Sequence, residues 1–288
     1  MKHPRSSFFK VIPLVVASAA QLILVPSMAN GQDKADAKKV PPPPGGEEVA
    51  RRLGFPNPYP RLQALERELK KAGVDVKWTA HYDELGRRNI DAAALRSDPE
   101  KAQLLLGVRI ADAIPALMAK NGLRLKACAA DIKALAQVLN IRSDDISTKP
   151  IIQAIEKDDW DKVFLELGEL QQQVVDRLDT PENRSKGALM AAGAWLQGLR
   201  YASRLISENQ GKVDLSNYLR AAPIAELLGK EIKTASSEVL EKAPVKAALA
   251  TLVEVFPLIN IGRDDNIPKE KVQKIYDLAT KALVDAKV

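Results

Sequence analysis

Two short phrases carry paired carboxylates at repeated spacing. LNIRSDDI at 139–146 and INIGRDDNI at 259–267 each place two adjacent aspartates, Asp144–Asp145 and Asp264–Asp265, after an Asn-Ile pair with two residues between. Such pairs could hold a cation, share a proton in catalysis, or punctuate the starts of helices. A calcium loop needs oxygen ligands at alternating positions, a glycine at the sixth and a glutamate at the twelfth. Neither DDISTKP nor DDNIPKE has that glycine or glutamate, and side chains of adjacent residues diverge. Acid–base work needs carboxylates facing one another across a cleft, so the two loops would have to meet. Punctuation asks for nothing further. Asp265 or Asn266 is expected to cap a helix with Pro268 in its first turn, and Ser147 another with Pro150 in its first turn. Negative charge there suits the helix dipole.

The other reactive side chains are sparse. Cys128 is the only cysteine, so no intramolecular disulfide can form, and its neighbours in KACAADIKAL are those of a buried, inert thiol. His81, with Asp83 and Glu84 close by, is one histidine where zinc takes three or four ligands. Neither CxxC, HExxH, GxSxG nor a glycine-rich phosphate loop occurs. The expectation is therefore no catalytic residue, no metal and no cofactor. Arg200 and Arg204, spaced i,i+4, could hold an anionic group. With Trp195 on the same segment they are the candidate ligand-binding residues.

The elements that would position these groups are helical almost throughout. YPRLQALERELKKAG sets Leu62, Leu65 and Leu69 on one face and closes on Gly73. Residues 74–97 read less regularly, with VDVKW a possible extended piece. Then Ser97 or Asp98 caps a helix with Pro99 in its first turn and Gly122 as its stop. On that helix Lys101, Arg109, Asp112 and Lys120 fall on one sector about 100° wide, which predicts a solvent face with Asp112 at the surface. The remaining sectors are apolar, so the helix is expected at the centre of its domain, kinked by Pro115. An antiparallel return follows, then a short helix from about 148, one through Trp160, and a long helix from Thr180 to about 208. The small residues Ala188, Ala192, Ala194, Gly198 and Ala202 on that long helix permit close approach by a neighbour. Three more helical patterns complete the chain. The predicted class is an all-α multi-helix bundle.

The two phrases sit in a larger frame. LLG stands at 105–107 and again at 227–229, and Asn140 and Asn260 are 120 residues apart. A degenerate duplication of a helix–helix–corner–helix unit, about 98–178 and 220–288, would account for both. The helix through Trp195 would then lie between the copies, with Ile141 and Ile261 buried.

The N-terminus carries an address. Lys2, Arg5 and Lys10 precede an apolar stretch from Val11 to Val25, and Pro26-Ser27-Met28-Ala29 sets small residues, Ser27 and Ala29, at the −3 and −1 positions of a cleavage after Ala29. That is the layout of a secretory signal peptide over 1–29, its apolar core of about 15 residues short of a membrane span. Residues 30–60 read as a proline-rich flexible linker and 61–288 as a single all-helical domain. Loss of the leader takes three of the 43 basic residues and none of the 37 acidic ones, leaving +3. A charge so mild, without a Lys/Arg run, predicts no nucleic-acid partner and no stable membrane span. The expected product is an exported soluble protein, periplasmic or secreted, most simply a non-catalytic binding or interaction module of a bacterial cell envelope. It would take a partner protein or small molecule in a groove between the pseudo-repeats. The alternatives are a carrier of a small apolar or anionic ligand in the bundle core, or an enzyme using the acidic corners.

Overall fold

Helix follows helix through the computed structural model, which describes residues 58–82, 90–141, 147–178, 183–262 and 265–288, with no strand among them. The leader, the proline-rich segment and Asp83, Glu84, Asp144, Asp145 and Asp264 lie outside the described residues. In chain order the helices are α1 (Tyr59–Lys71), α2 (Thr79–Tyr82), α3 (Ala92–Arg96), α4 (Pro99–Met118), α5 (Gly122–Val138), α6 (Lys149–Glu156), α7 (Trp160–Leu178), α8 (Arg184–Asn209), α9 (Ala222–Ile232), α10 (Ser237–Leu240), α11 (Ala243–Ile259) and α12 (Lys269–Asp285). A 3-10 turn over Ser216–Leu219 precedes α9. The chain is an all-α multi-helix bundle. No helix among the described residues is long and apolar enough to cross a membrane.

The helix ends follow local chemistry. Asp98 accepts from the Lys101 amide at 3.1 Å and so caps α4, with Pro99 behind it. Among the described residues four other than glycine take positive φ, and all four stand just past a helix: Lys120, Asn140, Asp158 and Lys287. At Asn140 the amides of Asn140 and Ile141 return to Gln137 and Ala136 at 3.1 and 2.9 Å. Those two bonds satisfy carbonyls that α5 leaves open, and Ile141 packs beneath the corner, 7% exposed. This is the physical content of Asn-Ile in the first phrase. The second phrase does not repeat it, because Asn260 has φ −86° and bonds back to Phe256.

Several expectations are corrected here. Thr148 and Pro268, not Ser147 and Asp265, immediately precede α6 and α12, and neither supplies a side-chain cap. Asp265 instead accepts from the Gly262 amide at 3.0 Å and closes its own turn. Gly122 does not stop α4. It is the first residue of α5, behind the cap Asn121, whose Oδ1 accepts from Arg124 at 2.9 Å. The α6 and α12 helices that follow the two corners are 8 and 17 residues long. Ile261 is half-buried.

At the centre α8 packs against α4, α9 and α12, while α5 covers another side of α4 and α11 bridges α9 and α12. The α4–α8 contact is backbone to backbone. A Cβ on Gly107 would fall 1.9 Å from the Met190 carbonyl oxygen, and one on Gly193 would fall 2.1 Å from that of Leu104. Each glycine thus receives a carbonyl of the other helix, a reciprocal fit that any side chain would break. So tight a seam leaves no solvent face. Every residue of α4 from Ala102 to Leu117 is buried, and Asp112 is 2% exposed, not at the surface as its sector predicted. The sector is covered because α5 and α8 close over it with polar groups of their own.

Candidate functional site

Two kinds of buried polarity occur, and their hydrogen bonding separates them. The first lies on the α4–α8 seam. Asp112 Oδ2 accepts from Arg109 Nη1 at 3.0 Å, and Oδ1 accepts from Gln197 Nε2 and the Tyr201 hydroxyl, each at 2.6 Å. Gln197 also donates to the Tyr201 oxygen at 2.9 Å, so the hydroxyl accepts one bond while donating another. From α5, Asp131 approaches Arg109 Nε at 3.2 Å, its side chain 30% exposed.

Burial and charge shift this cluster together. Desolvation would lower Arg109, but the carboxylates of Asp112 and Asp131 outweigh it and hold the guanidinium above its usual value. Burial raises the Asp131 carboxyl against the pull of Arg109. Burial first, and then Asp112, push Tyr201 well above the ordinary phenol range. Cys128 on α5 is driven up to about 12, chiefly by burial with Asp112 adding. It is thus a thiol at neutral pH, where a nucleophile would need to be thiolate. The Asp112 carboxylate engages three donors, one of them a cation shared with a second carboxylate, while Gln197 Oε1 is buried without a hydrogen-bond partner. The cluster fixes the register of three helices and presents no open position to a substrate.

The second kind is a cavity of about 740 Å³ at one end of the bundle. The start of α4, the end of α5, the end of α7, the first turns of α8, and the α9–α11 region contribute to it. Two polar side chains of α4 line it, Glu100 at 9% and Gln103 at 5% exposed. Neither has a hydrogen-bond or ion-pair partner from its side chain among the described residues. Their polar heads stay accessible from the cavity, so their hydrogen-bonding capacity opens onto its interior and not into the packed core. Around them stand the exposed cations Arg96, Arg177 and Lys186. Lys186 donates to Asn183 at 2.8 Å, and Asn183, at the start of α8, makes no side-chain cap. Apolar walls come from Val138, Ile141, Leu189, Ile232 and Val245.

The candidates from sequence lie elsewhere. Arg200 is buried, donates to Thr280 Oγ1 at 3.1 Å and sits 5.6 Å above the Tyr276 ring centroid, tying α8 to α12. Arg204 pairs with Glu208 on its own helix at 2.7 Å. Trp195 is 4% exposed within the core. None of the three lines the cavity. His81 is 5% exposed and its ring lies 5.7 Å from that of Trp78. Among the described residues no three of His, Cys, Asp and Glu gather as a metal site. Sequence reasoning passed over Glu100 and Gln103 because both look like ordinary first-turn residues of a capped helix. It also missed the partners of Asp112, although Gln197 and Tyr201, an i,i+4 polar pair within an alanine-rich run, were a usable sign. The chain matches no protein-family model, no curated protein and no solved structure.

Proposed function

We propose that this chain is an exported, non-catalytic helical binding protein of the cell envelope that takes a small polar molecule in the end cavity. The observation that carries the reading is the pair Glu100 and Gln103, whose polar heads open onto the cavity without protein partners of their own. A bound molecule would supply those partners, which an empty cavity leaves to water. The volume of about 740 Å³ supports it as well. Small-molecule sites span roughly 300–1,000 Å³ and combine apolar walls with a few placed polar groups. Export is supported by the basic, apolar and small-residue order of residues 1–29.

Differential scanning fluorimetry of the full chain against a panel of polar metabolites tests this. A ligand at 100 times its Kd stabilises by about 2.7 kcal/mol. For a body of this size each kcal/mol moves Tm by about 2–4 °C. Ser185→Trp, on the half-buried wall, should remove that shift. A compound that stabilises both proteins equally, or a panel that stabilises neither, refutes the cavity as the binding site.

A further inference from the structure

Given that the cavity is the binding site, as proposed, we infer that its ligand is a small zwitterion: an ammonium inward on Glu100 and Gln103, an anionic group outward at the basic rim, an apolar group between. The order of burial sets the orientation. Glu100 and Gln103 are more than nine-tenths buried, whereas Arg96, Arg177 and Lys186 are exposed. The depth of the cavity is therefore acidic and polar, and its mouth is basic. The Glu100 carboxylate opens onto the cavity without a protein cation on it, and an ammonium there would meet it with a charge-assisted bond. The Gln103 amide oxygen can accept from the same ammonium.

The mouth selects against the alternatives. A plain amine or polyamine would have to pass three cations to reach one carboxylate, with repulsion on the way and nothing gained at the rim. A plain anion would be drawn to the rim but would leave Glu100 unpaired, and would meet its charge if it went deeper. A zwitterion satisfies both ends. At the mouth, the first turn of α8 adds backbone amides that an α-helix leaves without intrahelical partners. That helix is 26 residues long and begins at Asn183 without a side-chain cap. Leu189 and Ile232, buried on the wall, suit an apolar side chain between the charged ends. A free amino acid has this form, with N–H donors that a quaternary ammonium lacks. The selection is electrostatic and geometric, and no bond is made or broken.

Calorimetric titration of the full chain separates the possibilities. The probes are the free L-amino acids, and for each that binds, the matching amine without the carboxylate and the matching acid without the ammonium. The expected result is an amino acid that binds at least tenfold more tightly than either one-ended relative. Glu100→Gln should cut its affinity by tenfold or more while leaving the far-ultraviolet dichroism and unliganded Tm as in the wild type. Lys186→Gln should cut affinity severalfold and flatten its dependence on salt. Equal binding of the one-ended acid, or an unaffected Glu100→Gln, overturns the zwitterion while leaving small-molecule binding intact. Should no amino acid bind while another panel compound stabilises through the cavity, the ligand class is wrong and the site is right. If nothing binds, both fall.

Discussion

Replacing Asp112 by alanine tests the central contact of the bundle, because the sequence places this residue on a solvent face and the fold buries it. Its two oxygens accept three bonds, from Arg109, Gln197 and Tyr201, at 3.0, 2.6 and 2.6 Å. Alanine takes the carboxylate acceptor from a buried hydroxyl and a buried amide, and it removes one of the two carboxylates that face Arg109, which is 3% exposed. Breaking a buried pair from one side costs about 3–5 kcal/mol. At about 2–4 °C per kcal/mol for a body of this size, Tm should fall by roughly 6–20 °C. Urea unfolding followed by circular dichroism should show a lower midpoint with an unchanged slope. Asp112→Asn keeps an acceptor for Tyr201 and should lose less. The double variant Arg109→Met, Asp112→Leu removes both charges, leaves the partly exposed Asp131 to solvent, and should be more stable than Asp112→Ala. A change within about 0.5 kcal/mol for the alanine variant, the range of ordinary surface positions, would refute the buried network.

Two further outcomes follow from the same packing. Gly107→Ala would set a methyl 1.9 Å from the Met190 carbonyl, so α4 and α8 must part, at a cost of about 1–3 kcal/mol or more; Gly168→Ala, exposed in α7 with open space around it, should instead stabilise by about 0.5–1 kcal/mol. Denaturation midpoints of the two variants check this, and equal effects would contradict it. Tyr201 and Cys128 both lie above their unfolded values, about 12 for the thiol. They bind protons more tightly folded than unfolded, so their stabilising contribution is whole below the unfolded pKa and is lost as pH rises through the folded one. Stability should therefore decline from about pH 9 upward, where Cys128 of the unfolded chain begins to ionise. Native Cys128 should stay unreactive to a disulfide reagent at pH 8 and react on unfolding. A native thiol that reacts freely would place it outside the core.

What the sequence made legible was whatever depends on residues close together along the chain. Leucines at 62, 65 and 69 are fully buried, and the Asp98–Pro99 start and the long helix through Trp195 appear within a few residues of where their patterns put them. Asp112 failed because a helical wheel records which side chains share a sector, not what covers that sector. Its partners Gln197 and Tyr201 lie 85 and 89 residues away. The doubled phrase misled for a related reason. Identical letters at 140 and 260 met different backbones, left-handed in one and not in the other, because a residue just past a helix takes its conformation from how the chain must turn next. The candidate arginines failed differently. An i,i+4 pair of cations announces that something must answer the charge, and here Thr280 and Glu208 interact with them within the fold.

The two buried polar groups of α4 point to a division of labour along one helix. Asp112, near the far end of α4, has every acceptor site that its neighbours can reach in use, and that saturation is what fixes α4, α5 and α8 in register. Glu100 and Gln103, in the first turn and a half, have none in use, and they face space and not a helix. Those bonds make the first cluster worth several kcal/mol to the fold, and its burial keeps a ligand from reaching it. Vacancy makes the second pair of little value to the fold and gives a ligand all of the gain. The two should therefore respond independently: Asp112 variants that still fold should bind as the wild type does, while Glu100→Gln should change binding and barely move Tm. Coupled losses at both places would mean that the cavity wall and the α4–α8 seam form one cooperative unit, and that the open polar pair is structural after all.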